Sequence, residues 1–205
     1  MLDSQQLASF QDTLTGLWHQ PENTGETSAS DPWLELVARQ HRANFELWHI
    51  EDEARDPKAT DAQMASTKRR IDHTNQLRND LVEQLDLALL GWLEERKLPH
   101  PAAPLHSETA GLIIDRLSIL SLKIFHTREQ AERTDAPEGH QQRNLDRLAV
   151  LEAQRRDLTQ CLAELWDESL AGRRRFKLYR QMKMYNDPSL NPAIYGKKDG
   201  SPPIR

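Results

Sequence analysis

Cysteine is almost absent: Cys161 is the single thiol in 205 residues. One thiol excludes a disulfide framework and a CxxC metal site, and its place in an amphipathic run predicts a buried, inert side chain. Glycine is scarce at eight residues and no β-branched run occurs, so little in the chain favours sheet. Aromatic residues make up 6%, with four Phe and three Tyr, so a core must rest on Leu, Ile, Ala and the five Trp. No segment reaches the ~18 apolar residues that a membrane span needs. No basic stretch followed by an apolar core stands at the N-terminus, so a secretory signal is not expected and the default expectation is a cytoplasmic bacterial protein. A net charge of -5 argues against nucleic acid as a partner over the whole surface. No glycine-rich phosphate loop after a strand, nucleophile elbow or HExxH pattern is present, and no cofactor is expected.

What remains is helix. Leu7, Phe10, Leu14 and Leu17 form one apolar stripe over residues 4–18, with Asp3 or Ser4 as the cap. A polar loop covers 19–30. Ser30-Asp31-Pro32 starts a helix that runs to about Arg55, where Asp56-Pro57 ends it. Residues 60–97 form a long second helix, with Met64, Ile71, Leu81, Leu85 and Trp92 on heptad positions shared with Thr67, Thr74, Arg78 and Ala88. PHPAAP at 99–104 breaks the chain. A further helix runs from Ser107 to near Arg133, and another covers 141–171 and stops at Gly172. Arg173, Arg174, Arg175, Lys177, Arg180 and Lys183 then follow without an acidic residue between them, a basic C-terminal helix or tail over 173–205.

A shift of 77 residues overlays two helical hairpins, about 33–97 and 107–171, without a gap. Arg39 meets Arg116, His49 meets His126, Arg70 meets Arg147, Arg78 meets Arg155, and Leu85 meets Leu162. Two copies are too few for a solenoid. The expected architecture is a single all-α domain, 1–205: a pseudo-twofold four-helix bundle with an extra N-terminal helix and the basic tail laid against it.

The heptad frame turns Arg78 and Arg155 inward, and a buried guanidinium needs a carboxylate or a bound anion. Asp52, Glu51 and Glu129 are the expected acid partners; the alternative is an anionic ligand gripped by forked donors. His41, Asn44, Trp48, Asp52 and Arg55 make a polar stripe on a face that should be interior, and Asn75 lies near the level of Arg78. Such a stripe either specifies pairing or lines a pocket. Glu46-Leu47-Trp48-His49 has the Glu-x-x-His spacing of di-iron bundles, but its counterpart begins at Lys123, which cannot ligate as a carboxylate does, so no metal is expected. The start of the third long helix, SETAG at 107–111, offers backbone N–H groups to a phosphate or takes an ordinary cap. Turns in NDPSLNP would fold Tyr179, Lys183, Tyr185 and Asn186 back onto the bundle as a lid.

NFELWHIEDEAR, KRRIDHTNQLRNDLVEQLD, SETAGLIIDRLSILSLKIFH and YRQMKMYNDPSLNP together resemble a bacterial domain-of-unknown-function family, number 4254, over about residues 33–195. Ala110 stands where that family has proline. The resemblance implies an all-helical cytoplasmic protein, and relatives encoded near sugar-transfer enzymes imply a role with phosphorylated or nucleotide-linked sugars. Three functions follow as expectations. One is an accessory factor of surface-glycan biosynthesis that binds such a ligand through Asn44, Trp48, Asp52, Arg55, Asn75, Arg78, Arg155, Tyr179, Lys183, Tyr185 and Asn186, with a glycosyltransferase partner. The second is an oligomerising scaffold, for example a homodimer. The third is an enzyme with His49 or Asp52 as general acid or base in an arginine-lined pocket.

Overall fold

The structure, a computed structural model, describes residues 2–20, 31–180 and 189–190. Among them are five helices: α1 (Ser4–Trp18), α2 (Pro32–Glu53), α3 (Asp61–Glu94), α4 (Ala110–Glu132) and α5 (His140–Leu170). No strand is formed among the described residues; Leu105 and Arg175 make one isolated parallel bridge. The chain is an all-α helical bundle.

Local chemistry sets the helix ends. Asp31 accepts from Trp33 N with Pro32 in the first turn, and Thr60 with Gln63 makes a reciprocal capping box. Thr109, rather than Ser107, caps α4 by accepting from Leu112 N. Gly172, at φ 72°, takes the left-handed turn that closes α5, and Arg173 N then donates to Glu168 O at 2.8 Å.

α4 is the hub: α5, α1, α3 and α2 all pack on it. One core cluster joins Leu85, Leu89 and Leu93 of α3 to Ile113, Ile114 and Leu117 of α4 and Leu162, Leu165 and Trp166 of α5. Each such side chain contributes about 1.5–3 kcal/mol on burial. A smaller cluster joins Leu14 and Trp18 of α1 to Ala38 and Phe45 of α2 and Leu122 of α4. The packing is not that of two equal hairpins. α3 packs on α4, but α2 and α5 have no comparable contact, and α1 lies against α4, α5 and α2 instead. The N-terminal helix is therefore part of the core and not an addition to its outside.

Three expectations change. Met64 is exposed and Ile71 only half-buried, because the first turns of α3 lie outside both clusters. Cys161 is exposed, because Thr159, Leu162 and Leu165 take the inward face of α5. Residues 173–180 form no helix; Phe176 enters the core, and Arg175 bonds through its backbone to Pro104 O and His106 N.

α4 begins against α3 at a close crossing. A Cβ on Gly111 would lie 2.7 Å from Val82 O and 2.8 Å from Asp86 Oδ1. Gly111 N donates to Asp86 Oδ1 at 2.7 Å. Burial pushes the Asp86 carboxyl up to about 6, against the opposing bonds from the Thr109 hydroxyl and Gly111 N. The amides that a phosphate would need at this helix start are thus engaged by Asp86 and by the Thr109 side chain.

Gly111→Ala is expected to lower stability in urea unfolding by about 1–3 kcal/mol, the cost of overpacking. Gly91→Ala, whose Cβ would meet nothing within 4 Å, should instead raise it by up to ~1 kcal/mol through helix propensity. Equal midpoints for both variants would contradict the close crossing.

Candidate functional site

Asp115, Ser118 and Ser121 recur every third residue on one buried face of α4. α2 meets that face with Gln40, His41 and Asn44, and α1 meets it with Gln11, Asp12 and Thr15. Gln40 Nε2 and Asn44 Nδ2 both donate to Asp115 Oδ1, at 2.7 and 2.9 Å. Asn44 Nδ2 also lies 2.9 Å from Ser118 Oγ, and Ser121 Oγ donates to Asp12 Oδ1 at 2.8 Å.

The proton count through this layer assigns the His41 tautomer. Thr15 Oγ1 donates to Gln11 O at 2.9 Å, so its contact with His41 Nε2 at 2.9 Å is one it accepts. His41 Nδ1 then accepts from Ser118 Oγ at 2.7 Å. The ring is a neutral relay with one donor and one acceptor. Burial pushes its pKa down to about 3, with the Gln11 carbonyl opposing. His41 and Asn44 are interior, as the polar stripe of the sequence implies.

Beside this layer a pocket of about 430 Å³ opens between α2, α3 and α4. α2 lines it with Asn44, Leu47, Trp48, Glu51, Asp52 and Arg55; α3 contributes Arg78, and α4 contributes Ile119 and Leu122. Five of the sequence's candidate ligand residues, Asn44, Trp48, Asp52, Arg55 and Arg78, therefore share one pocket. Arg78 turns inward, 25% exposed, but its expected partners do not meet it. Its Nε stands 4.0 Å from Asp115 Oδ1, beyond hydrogen-bond reach, and is buried without a hydrogen-bond partner among the described residues. Its Nη2 donates to Asn79 Oδ1 at 3.2 Å. Burial raises the Asp115 carboxyl, and the Arg78 charge and the Asn44 and Gln40 amides pull it back.

Within this pocket Asp52 and Arg55 are exposed and paired with each other at 3.0 Å. The other candidates lie elsewhere. Arg155, 17% exposed, bonds to Asp12 of α1 and does not line the pocket. Asp12 and Asp115 thus serve the two arginines in place of Asp52, Glu51 and Glu129. A pseudo-twofold bundle would offer Arg155 the position 77 residues before Asp115, but that position is Ala38, and α1 supplies the carboxylate. Asn75 is half-buried and outside the pocket. Tyr179 is exposed, off the pocket, with Lys177 Nζ 5.3 Å from its ring centre. Lys183, Tyr185 and Asn186 lie outside the described residues.

His49 and Asp52 do not converge. His49 faces a second, larger pocket of about 640 Å³ between α2 and α3, with Arg42, Arg69, Arg70 and His73 on its walls. Glu46 there bonds to Arg42 at 3.0 Å, and Lys123 is exposed, so the two Glu-x-x-His-like segments build no shared carboxylate site.

The structure also brings together residues that periodicity does not connect. His19, the residue after α1, sits against His49 and His126, with ring centres 5.3 and 4.9 Å away. The equivalence of His49 and His126 under the 77-residue shift was the one sequence signal for this cluster; His19 belongs to neither copy.

The buried relay has a measurable consequence. The folded pKa of His41 lies below its usual 6.5, so its contribution to stability is present above pH 6.5 and is lost as pH falls toward 3. Asp86 has the opposite sign: its pKa is raised from 3.8, and its contribution is lost as pH rises through about 6. The two overlap in a bulk melting curve, so the readout is the ring itself. NMR of the imidazole should show His41 neutral with its proton on Nε2 at pH 5. A ring protonated at that pH would rule out the buried relay.

No curated protein and no solved structure matches the chain. Residues 34–178 match the profile of the family described as "Protein of unknown function (DUF4254)". That span runs from α2 to the segment after α5 and includes the pocket, the α2 and α4 sides of the polar layer, His49 and His126; the chain belongs to the DUF4254 family.

Proposed function

We propose that this protein binds an anionic, hydroxyl-bearing ligand, a phosphorylated or nucleotide-linked sugar, in the 430 Å³ pocket between α2, α3 and α4. The observation that carries this reading is Arg78. Its guanidinium borders the pocket, and among the described residues its Nε is buried without a hydrogen-bond partner and its nearest carboxylate stands at 4.0 Å, already shared by two amides. An oxyanion in the pocket would supply the missing acceptor. The larger pocket has more arginines, but Arg42 and Arg70 are held there by Glu46 and Glu53.

The remaining lining suits the rest of such a ligand. Glu51 and Asp52 can accept from sugar hydroxyls. Trp48, Leu47, Ile119 and Leu122 offer an apolar and aromatic wall for a sugar or base face. The volume is in the range of small-molecule sites. Taken with the context that the family resemblance implies, the role would be that of an accessory factor beside a glycosyltransferase in surface-glycan assembly. The enzyme reading, with His49 or Asp52 as general acid or base, has less support, because His49 lines the other pocket and Asp52 is exposed and paired with Arg55 rather than Arg78.

A thermal-shift panel of sugar phosphates, nucleotide sugars and the matching neutral sugars tests the proposal. At least one phosphorylated member should raise the melting temperature, its neutral parent should not, and ligand at about 100 times Kd should add roughly 2.7 kcal/mol. Arg78→Ala should abolish the shift. Arg155→Ala should lower the ligand-free melting temperature, since it strands Asp12, and keep the shift. A panel without any stabilising member, or one to which Arg78→Ala responds like wild type, removes the idea.

A further inference from the structure

Three histidines, at the end of α1 and late in α2 and α4, come together in one cluster. His19 Nδ1 faces Thr15 O at 2.7 Å and His49 Nδ1 faces Phe45 O at 2.8 Å. A carbonyl oxygen only accepts, so both Nδ1 atoms carry the ring proton. His126 Nδ1 donates in the same way to Glu129 Oε2 at 2.8 Å. Each ring is thereby left with its lone pair on Nε2. One ring nitrogen of each histidine lies within 4.8 Å of the other two. The Nε2 atoms of His19 and His126 are buried and have no hydrogen-bond partner among the described residues.

Buried acceptors without a donor, as the Nε2 atoms of His19 and His126 are among the described residues, are unfavourable unless something electrophilic joins them. The rings are also clamped. Phe125 stacks on His19 at 4.2 Å, and Trp48 stacks on His126 at 4.9 Å with planes 11° apart.

We propose that His19, His49 and His126 bind one divalent transition-metal ion of the zinc type through their Nε2 atoms. Three neutral imidazoles without a carboxylate ligand suit Zn²⁺, Co²⁺, Ni²⁺ or Cu²⁺ and not Mg²⁺ or Ca²⁺, which take oxygen. The second ring nitrogen held by a backbone carbonyl or carboxylate is the arrangement that orients metal-bound histidines. Zinc at its usual bond length sets tetrahedral nitrogens about 3.3 Å apart. Closing from within 4.8 Å to that spacing requires the rings to turn inside their rotamer wells. A tetrahedral ion keeps a fourth position for water or an exchangeable ligand. His49 also lines the 640 Å³ pocket, so the site borders solvent on that side.

The test uses the full chain without a polyhistidine tag, stripped with a chelator and titrated with Zn²⁺ against a chromophoric competitor. Wild type should take up about one equivalent with sub-micromolar Kd. His49→Ala and His126→Ala should each weaken binding at least ~100-fold, and Glu129→Gln, which only positions His126, by about 10–100-fold. His73→Ala, on the same pocket wall but outside the cluster, should change nothing. Zinc should raise the melting temperature of wild type and not of His49→Ala. Less than about one tenth of an equivalent bound, or unchanged affinity in His49→Ala and His126→Ala, overturns the proposal. If the alanine variants do not fold, the Co²⁺-loaded wild type decides: absence of nitrogen-ligated d–d bands overturns it as well.

Discussion

Burying one carboxylate, Asp115 of α4, constrains much of what surrounds it. An unpaired carboxylate in a helical interior is costly, so neighbouring helices must bring donors to it. α2 brings Gln40 and Asn44, and α3 brings the charge of Arg78. That requirement locks the register of three helices at one level, a specificity that apolar packing alone would not impose. The two amides take the close positions and leave the guanidinium at 4.0 Å, oriented yet under-partnered. The pocket is thus a by-product of how the buried charge is satisfied.

The same logic shows why the interior is not symmetric. Arg78 and Arg155 are equivalent under the 77-residue shift and are both part-buried, so both need an anion. Arg78 finds Asp115 across the bundle. Arg155 finds Ala38 at the corresponding position and takes its carboxylate from Asp12 on α1. α1 lies where a second hairpin-to-hairpin contact would otherwise form, and Thr15 and Asp12 extend the polar layer into it. One arginine is neutralised by an added helix and the other is left facing a pocket.

How much of this was legible follows from the range of each signal. Helix ends were readable because capping is local: Asp31-Pro32 and Gly172 each act within a turn. The inward direction of Arg78 and the buried state of His41 and Asn44 followed from helical period. Partners did not, because period reports a face and not what lies opposite it. Asp12 and Asp115 are separated from their arginines by 143 and 37 residues, and nothing local links them. Cys161 failed for a related reason: it flanks the apolar stripe of α5, and one residue of rotation moves a side chain from core to solvent. His19 stands just past the last turn of α1, where period no longer constrains direction.

α1 therefore carries more of the chemistry than its length implies. The family match begins at residue 34, after α1, yet α1 and the residue that ends it hold Thr15, which completes the His41 relay, Asp12, which neutralises Arg155, and His19, the third imidazole of the cluster. Without α1, His41 would lose the acceptor of its Nε2 proton, and His49 and His126 would face each other as a pair. Trp48 then links the two regions: it stacks on His126 and also lines the pocket that holds Arg78. Pocket and histidine cluster thus share one indole, and the docking of α1 determines whether the cluster has its third imidazole.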